Sequence, residues 1–399
     1  MGEFQQTANP PLTESTPRLP SVPYWRLSGF YFAYFAQVGA FSPYFSLYLA
    51  SLGLAAAQIG VLLSLGQLTR VFGTNFWGWL ADRTHRRARI VSVTMALATA
   101  SFAGFLWIDS FWGLFALLLV TGFFSSASMP LTESLTLSHL RGNTSGYGGI
   151  RLWGSVGFIV TVTLIGYALD SLPVRNLLWM VLGALALCVL SALFLPDSQP
   201  AAGHAESGPV SAILRRPEVS ALLGACFLMN LAHGPQYAFF SLYLVEHGYA
   251  KTLVGWMWSF GVFAEILVFL LMPALMRRFT ISGILLTCFA ATSVRFLAIG
   301  WGVDLPWVLL FAQLLHGLSF GAFHAAAVAA IHRWFRGAHQ VRGQAIYLSV
   351  SFGGGGMLGS MLSGLAWDSI GPAWTFSAAA LAALAGYVLL QWKVRPSHF

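Results

Sequence analysis

Charge is scarce in this sequence. Only 9% of its 399 residues are Asp, Glu, Lys or Arg, against 57% that are hydrophobic. Soluble domains carry about 25% charged residues, so a soluble globular fold is excluded. The basic excess, 21 Lys and Arg over 13 Asp and Glu, is broken up by long apolar runs, and nucleic acid is not an expected partner. Cysteine is scarcer still, with three residues. Cys188, Cys226 and Cys288 all lie in apolar runs, where they read as small packing residues rather than disulfides or metal ligands. No G-x-x-x-x-G-K-S/T loop occurs, so ATP is not the expected energy source. The glycines at 353 to 356 fall within an apolar helix, where they permit close packing or bending rather than phosphate binding. No nucleophile stands with a base or with metal ligands at matched depth, so neither an enzyme nor a metal or cofactor site is expected.

What is present is a series of apolar segments of membrane-spanning length, about 20 residues each. Twelve spans are predicted near 25–50, 58–80, 88–108, 111–138, 149–169, 174–195, 218–245, 252–275, 280–302, 306–332, 343–366 and 372–393. Residues 1–24, rich in Pro, Thr and Ser, read as a disordered cytoplasmic tail and not as a cleaved signal. The only long polar interruption, 196–217, reads as a cytoplasmic linker between a first bundle, 25–195, and a second, 218–395. On the side shared by both termini lie 16 cations: Arg18, Arg26, Arg83, Arg86, Arg87, Arg89, Arg141, Arg215, Arg216, Arg277, Arg278, Arg333, Arg336, Arg342, Lys393 and Arg395. The other side has 2, Arg175 and Lys251. This imbalance predicts cytoplasmic termini.

The chain repeats itself. F-S-L-Y-L-A-S-L-G-L-A-A-A-Q-I-G-V-L-L-S-L-G from Phe45 aligns at an offset of 195 with F-S-L-Y-L-V-E-H-G-Y-A-K-T-L-V-G-W-M-W-S-F-G from Phe240, with 10 of 22 positions identical. A weaker echo, G-Y-A-L-D-S from Gly166 and G-L-A-W-D-S from Gly364, recurs at an offset of 198. An even number of spans separates the copies, so the repeat is parallel, as in transporters whose two halves rock around a central site. Between the second and third spans, G-W-L-A-D-R-T-H-R-R from Gly78 resembles the signature loop of the major facilitator superfamily. Asp82 there can accept from an Arg or a helix N-terminus, which makes Gly78, Asp82, Arg83, Arg86 and Arg87 a candidate conformational latch. Positive-inside topology is the competing reading of the arginines.

Ionisable residues inside spans are costly and usually face a cavity or a partner. There are five: Arg70, Glu133, Arg151, Glu265 and Arg295. The offset of 195 makes Arg70 and Glu265 equivalent, and they are expected to approach across the axis. Glu133 and Arg151 have similar depths and are expected to pair. Glu265 lies nearest the midplane and is the candidate proton carrier, with Arg295 in the outer half of the ninth span. Arg70 and Arg151 also lie close enough to the cytoplasmic headgroups to snorkel. His233, His316 and His324 are further candidates, although a lone helical His more often packs. An α-helix places His316 and His324 about 80° apart.

Y-G-G-I-R-L-W-G-S-V-G-F from Tyr147, P-L-T-E-S-L from Pro130, V-G-W-M-W-S-F-G-V-F-A-E from Val254 and L-L-H-G from Leu314 resemble the bacterial phenylpropionate permease family and, more distantly, lactose permease. The resemblance spans 25–393. It implies that Glu133 and Arg151 contribute to the substrate site, with Phe158 where lactose permease stacks a Trp on its sugar. Ser319 stands where that permease has a proton-coupling acid, which weakens a sugar assignment.

The expected protein is thus an all-α membrane protein, twelve transmembrane helices in two pseudo-symmetric six-helix bundles, the major facilitator fold. It is expected to be a monomer in the inner membrane that imports a small organic acid, such as an aromatic carboxylate, with protons by alternating access. Sugar or nucleoside symport and drug-efflux antiport are the alternatives. Glu265, Glu133, His316 and Arg295 are the candidates for proton coupling. Arg151, Glu133, Arg70, Arg295, Phe158, Tyr31, Tyr34, His233, Tyr237 and His324 are those for substrate binding.

Overall fold

A computed structural model describes residues 22–140, 145–197 and 210–394. Most of the predicted tail, the middle of the predicted linker, and Arg18, Arg141 and Arg395 lie outside the described residues.

The described chain is helical throughout. In the first half run α1 (Tyr24–Phe41), α2 (Phe45–Ser51), α3 (Ala56–Thr84), α4 (Arg87–Ala103), α5 (Phe111–Ser125), α6 (Ser128–Leu140), α7 (Ser145–Ser171) and α8 (Leu177–Leu193). After the short α9 (Ser211–Leu214), the second half has α10 (Pro217–Ala232), α11 (Gly234–Glu246), α12 (Lys251–Arg278), α13 (Ile281–Trp301) and α14 (Pro306–His316). A π turn, Gly317–Ala322, joins α14 to α15 (Phe323–Trp334). A second π turn, Ser349–Gly355, joins α16 (Gln340–Leu348) to α17 (Gly356–Ile370), and α18 (Pro372–Lys393) closes the chain.

Nine helical stretches among the described residues are long and apolar enough to cross a membrane, so the protein is a multi-pass membrane protein of the all-α class. The other three predicted spans are helical for different reasons than apolar length. The first breaks between Phe41 and Phe45, and the seventh breaks at His233, because Pro235 has no N–H and its ring crowds the carbonyl four residues back. The second, α3, is continuous over 29 residues but carries Gln67, Arg70, Asn75, Asp82 and Arg83.

The sequence repeat is visible in the backbone. Gly53 and Gly248, at the offset of 195, both take left-handed φ, 78° and 81°, a conformation a side chain strains. The helices that follow them, α3 and α12, have 29 and 28 residues. Each packs across to the other half of the chain, α3 on α17 and α12 on α7. Glycine makes both approaches possible. A Cβ on Gly60 would lie 2.6 Å from the Ser360 carbonyl, and one on Gly255 would lie 2.8 Å from that of Val162.

Hydrogen bonds between described residues that join the two halves all lie toward one face, formed by the loops at 52–55, 171–176, 247–250 and 371 and called here the far face. They include Thr163 with Ser259 (2.8 Å) and Trp256 Nε1 donating to Tyr167 Oη (3.2 Å). The larger apolar core is continuous across the halves, running from Leu27 and Phe45 through Phe158 to Trp258, Phe296 and Phe376. A smaller core, with Val219, Phe289, Phe323 and Tyr347, belongs to the second half alone.

Candidate functional site

Where α12 meets α14, small residues let two helices approach closely. A Cβ on Gly261 would lie 3.0 Å from Gln313 Oε1 and 3.1 Å from His316 Cδ2, and one on Gly317 would lie 2.7 Å from the Ala264 carbonyl. That proximity sets Glu265 Oε1 2.6 Å from His316 Nε2. The carboxylate oxygen and the imidazole nitrogen are thus within ion-pair distance of each other. The other imidazole nitrogen of His316 is buried without a partner.

His316 and His324 do not diverge by the 80° expected of an α-helix. The intervening π turn bonds i to i+5 and is wider, so His316, Phe320 and His324 stack in a column, with centroids 5.7 and 6.5 Å apart and planes within 14° and 13°. At the end of the column His324 Nδ1 lies 3.1 Å from the hydroxyl of buried Tyr347.

Arg295 on α13 supports this turn. Fully buried, it donates from Nε to the Ala312 carbonyl (3.0 Å), from Nη1 to Ser319 Oγ (3.1 Å) and from Nη2 to Gln313 Oε1 (3.4 Å). In this conformer its fork is taken up by the π turn and its flank. Ser319, standing in place of an acid, is one of its acceptors.

Two expected ion pairs are not formed. Arg151 on α7 lies over the rings of Phe35 (4.0 Å) and Tyr31 (5.9 Å), both on α1, and bonds no carboxylate among the described residues. Glu133 on α6, within electrostatic reach of Arg151, instead accepts from Tyr147 Oη at 3.0 Å. Nor do Arg70 and Glu265 meet. Besides the adjacent His316, Glu265 feels the electrostatic influence of Arg151, Arg295 and His324. Arg70 is exposed, near Tyr34 and Tyr237.

The remaining candidates form an aromatic series across the halves. His233, its Nδ1 2.8 Å from the Met229 carbonyl and its Nε2 unpartnered, stacks with Tyr237 at 6.0 Å. Tyr237 stacks with Trp258 at 6.2 Å, and Trp258 lies 6.5 Å from Phe158. Tyr31 is fully buried with no partner for its hydroxyl. Sequence reasoning missed Phe35, Tyr147, Trp258, Gln313, Phe320 and Tyr347. Helical spacing marks three of them: Phe35 follows Tyr31 by four, Tyr147 precedes Arg151 by four, and Phe320 lies four from each histidine.

The model of the MFS_1 like family matches residues 24–378. The chain belongs to this family, within the major facilitator superfamily. It is 32% identical over 376 residues to the probable 3-phenylpropionic acid transporter of Escherichia coli (strain K12), covering 92% of this chain and 97% of that one. It is 29% identical over 346 residues to the maltose permease of Geobacillus stearothermophilus, covering 84% and 85%. The crystal structure of nucleoside transporter NupG superposes with a TM-score of 0.79 over 93% of this chain and 99% of that one, at 18% identity. The chain is therefore a transporter of small molecules and not an enzyme.

In this transporter the signature loop is self-contained. Asp82 lies 3.5 Å from Arg87, Arg83 sits 4.4 Å over Trp79, and a Cβ on Gly78 would meet nothing within 4 Å. Arg86 is the N-cap residue of α4, whose Ala88 N–H is bonded by Asp197 at 2.9 Å. Asp82 makes no bond to the second half among the described residues.

Proposed function

We propose that this transporter imports small aryl carboxylates together with protons, across the bacterial inner membrane, by alternating access between two six-helix bodies, 24–195 and 217–394. Its termini are cytoplasmic on this reading, so the far face is periplasmic and the described conformer is closed toward the periplasm. The protein acts as a monomer.

The observation that carries the reading is the state of Arg151. It is a guanidinium in an aromatic setting with no carboxylate bonded to it among the described residues, while Glu133 is tied to Tyr147 and Glu265 lies against His316. A neutral sugar leaves that charge uncompensated, whereas a carboxylate pairs with it through two N–H groups and sets its aryl ring against aromatic neighbours. The name of the 32%-identical relative, a probable 3-phenylpropionic acid transporter, supports the same substrate class.

Charge near the middle of a bilayer is costly, so Glu265 gains from a proton or a cation. Arg151 lies on α7, the helix against which α12 packs, and its charge acts on Glu265 electrostatically. A substrate carboxylate that engages Arg151 withdraws that cation from Glu265 and favours protonation there, so substrate and proton bind together.

Purified protein in proteoliposomes tests the reading. Uptake of 3-phenylpropionate should be concentrative with the lumen alkaline and collapse when the gradient is dissipated. Preferential uptake of uridine or maltose would replace the organic acid with the nucleoside or sugar alternative. Gradient-insensitive uptake would remove the proton.

A further inference from the structure

The weaker sequence echo, G-Y-A-L-D-S and G-L-A-W-D-S, has no part in the site described above, yet both of its aspartates bridge the halves. Asp170, at the end of α7, accepts from the backbone N–H groups of Lys251 (2.7 Å) and Thr252 (3.0 Å), in the first turn of α12. Asp368, near the end of α17, accepts from the N–H of Ala57 (3.3 Å), in the first turn of α3. The first N–H groups of a helix have no partner within it, and its own N-cap side chain usually bonds one. Here the N-cap residues are Ala55 and Ala250, equivalent at the offset of 195, and neither has a side-chain acceptor. Each helix therefore takes a first-turn cap from the opposite half, which α3 adds to the bond from its Ala55 N–H to its own Gln58 Oε1 (3.0 Å).

We propose that Asp170 and Asp368 are positioning residues of the transport cycle: each caps the N-terminus of a helix in the other half and thereby holds the far face closed, and both caps must be released for that face to open. They act through α3, which carries Arg70 and the signature loop, and α12, which carries Glu265. Carboxylates at helix N-termini also meet the positive end of the helix dipole. The two caps are unequal. Asp170 makes two bonds, the shorter 2.7 Å, and is reinforced by the Thr163–Ser259 bond, whereas Asp368 makes one at 3.3 Å. The α7–α12 seam is the stronger lock and opens last.

Labelling of a buried seam cysteine by a membrane-impermeant maleimide reads the lock directly. Ser259→Cys, at a position 4% exposed in the closed seam, serves as reporter; it removes the Thr163 bond equally from every variant, so differences between variants read the caps alone, and the three native cysteines are buried. Losing a helix cap shifts an equilibrium by about fivefold, so Asp170→Ala should raise the labelling rate by about that factor. Asp368→Ala should raise it about twofold, and the double variant more than either. Asp170→Asn, whose amide oxygen still caps a helix, should restore most of the protection. Both aspartates are exposed, so the fold should persist, which thermal melting checks. Equal labelling in all variants would overturn the proposal. So would an Asn variant no better than Ala, since that would make the contact an ion pair and not a cap. Neither outcome depends on the substrate or on proton coupling.

Discussion

The two halves share a repeated backbone but treat their membrane charges differently. In the second, Glu265 is bonded to His316 and Arg295 donates to three groups on or beside the π turn. In the first, Arg151 rests on Phe35 and Arg70 is exposed, and neither has a carboxylate bonded to it among the described residues. A charge already paired is poorly placed to bind a passing ligand, and an uncompensated one is well placed. Under the proposed function this difference is a division of labour, with substrate anion recognised in the first half and proton handled in the second.

The sharpest way to break that division is Glu265→Gln. Gln retains an acceptor for His316 but cannot carry the proton, so concentrative uptake should be abolished while exchange of substrate down its gradient survives. Equal loss of both activities would make Glu265 a binding or folding residue.

Next in size is Arg151→Lys. An ammonium offers one point charge in place of a planar fork. Hydrogen bonds to charged groups contribute about 1.5–3 kcal/mol, so KM for a carboxylate should rise roughly tenfold to a hundredfold. Proton flux per substrate should not change. Unaltered KM would show that the anion is bound elsewhere.

Why α12, which carries Glu265, packs on the helix of Arg151 and not on that of Arg70 was not legible in the chain. The offset of 195 relates Arg70 to Glu265, but a repeat reports equivalence and not contact. Equivalent helices occupy corresponding places on opposite sides of the axis, so α12 packs on α7 while α3 packs on α17. The helical class, the repeat and the five intramembrane charges were legible, because each rests on composition, register or the cost of burying charge. The alignment of His316 with His324 was not. A 3.6-residue period puts them on diverging faces, and only the π turn, held by Arg295 from another helix, brings them into one column.

Arg295→Lys sharpens the comparison from the paired side. A single ammonium cannot reach the Ala312 carbonyl, Ser319 and Gln313 together, so the π turn should relax and His316 drift from Glu265. Substrate affinity should stay within about twofold if, as proposed, Arg151 is the cation that binds carboxylate, while stability falls by about 2 kcal/mol. The pH profile of uptake should shift, with Glu265, His316, His324, Arg151 and the neighbouring His233 all in place to contribute. A large loss of affinity with an unchanged pH profile would return Arg295 to the substrate site.

The smallest effect is expected at the signature loop. Asp82 is largely exposed and its contact with Arg87 is 3.5 Å long, a geometry that contributes at most about 1 kcal/mol. In this conformer the halves are joined at the far face, and Asp82 is left within its own loop. On the proposed alternating-access reading its contribution would belong to the opposite conformer, in which the face opposite the far face is closed. Asp82→Asn should therefore slow turnover by no more than about fivefold, with equilibrium binding unchanged in this conformer. It should also lower labelling of the Ser259→Cys reporter, because losing a latch of the opposite state deepens closure of the far face. A rise in labelling would place Asp82 among the contacts that keep the far face shut.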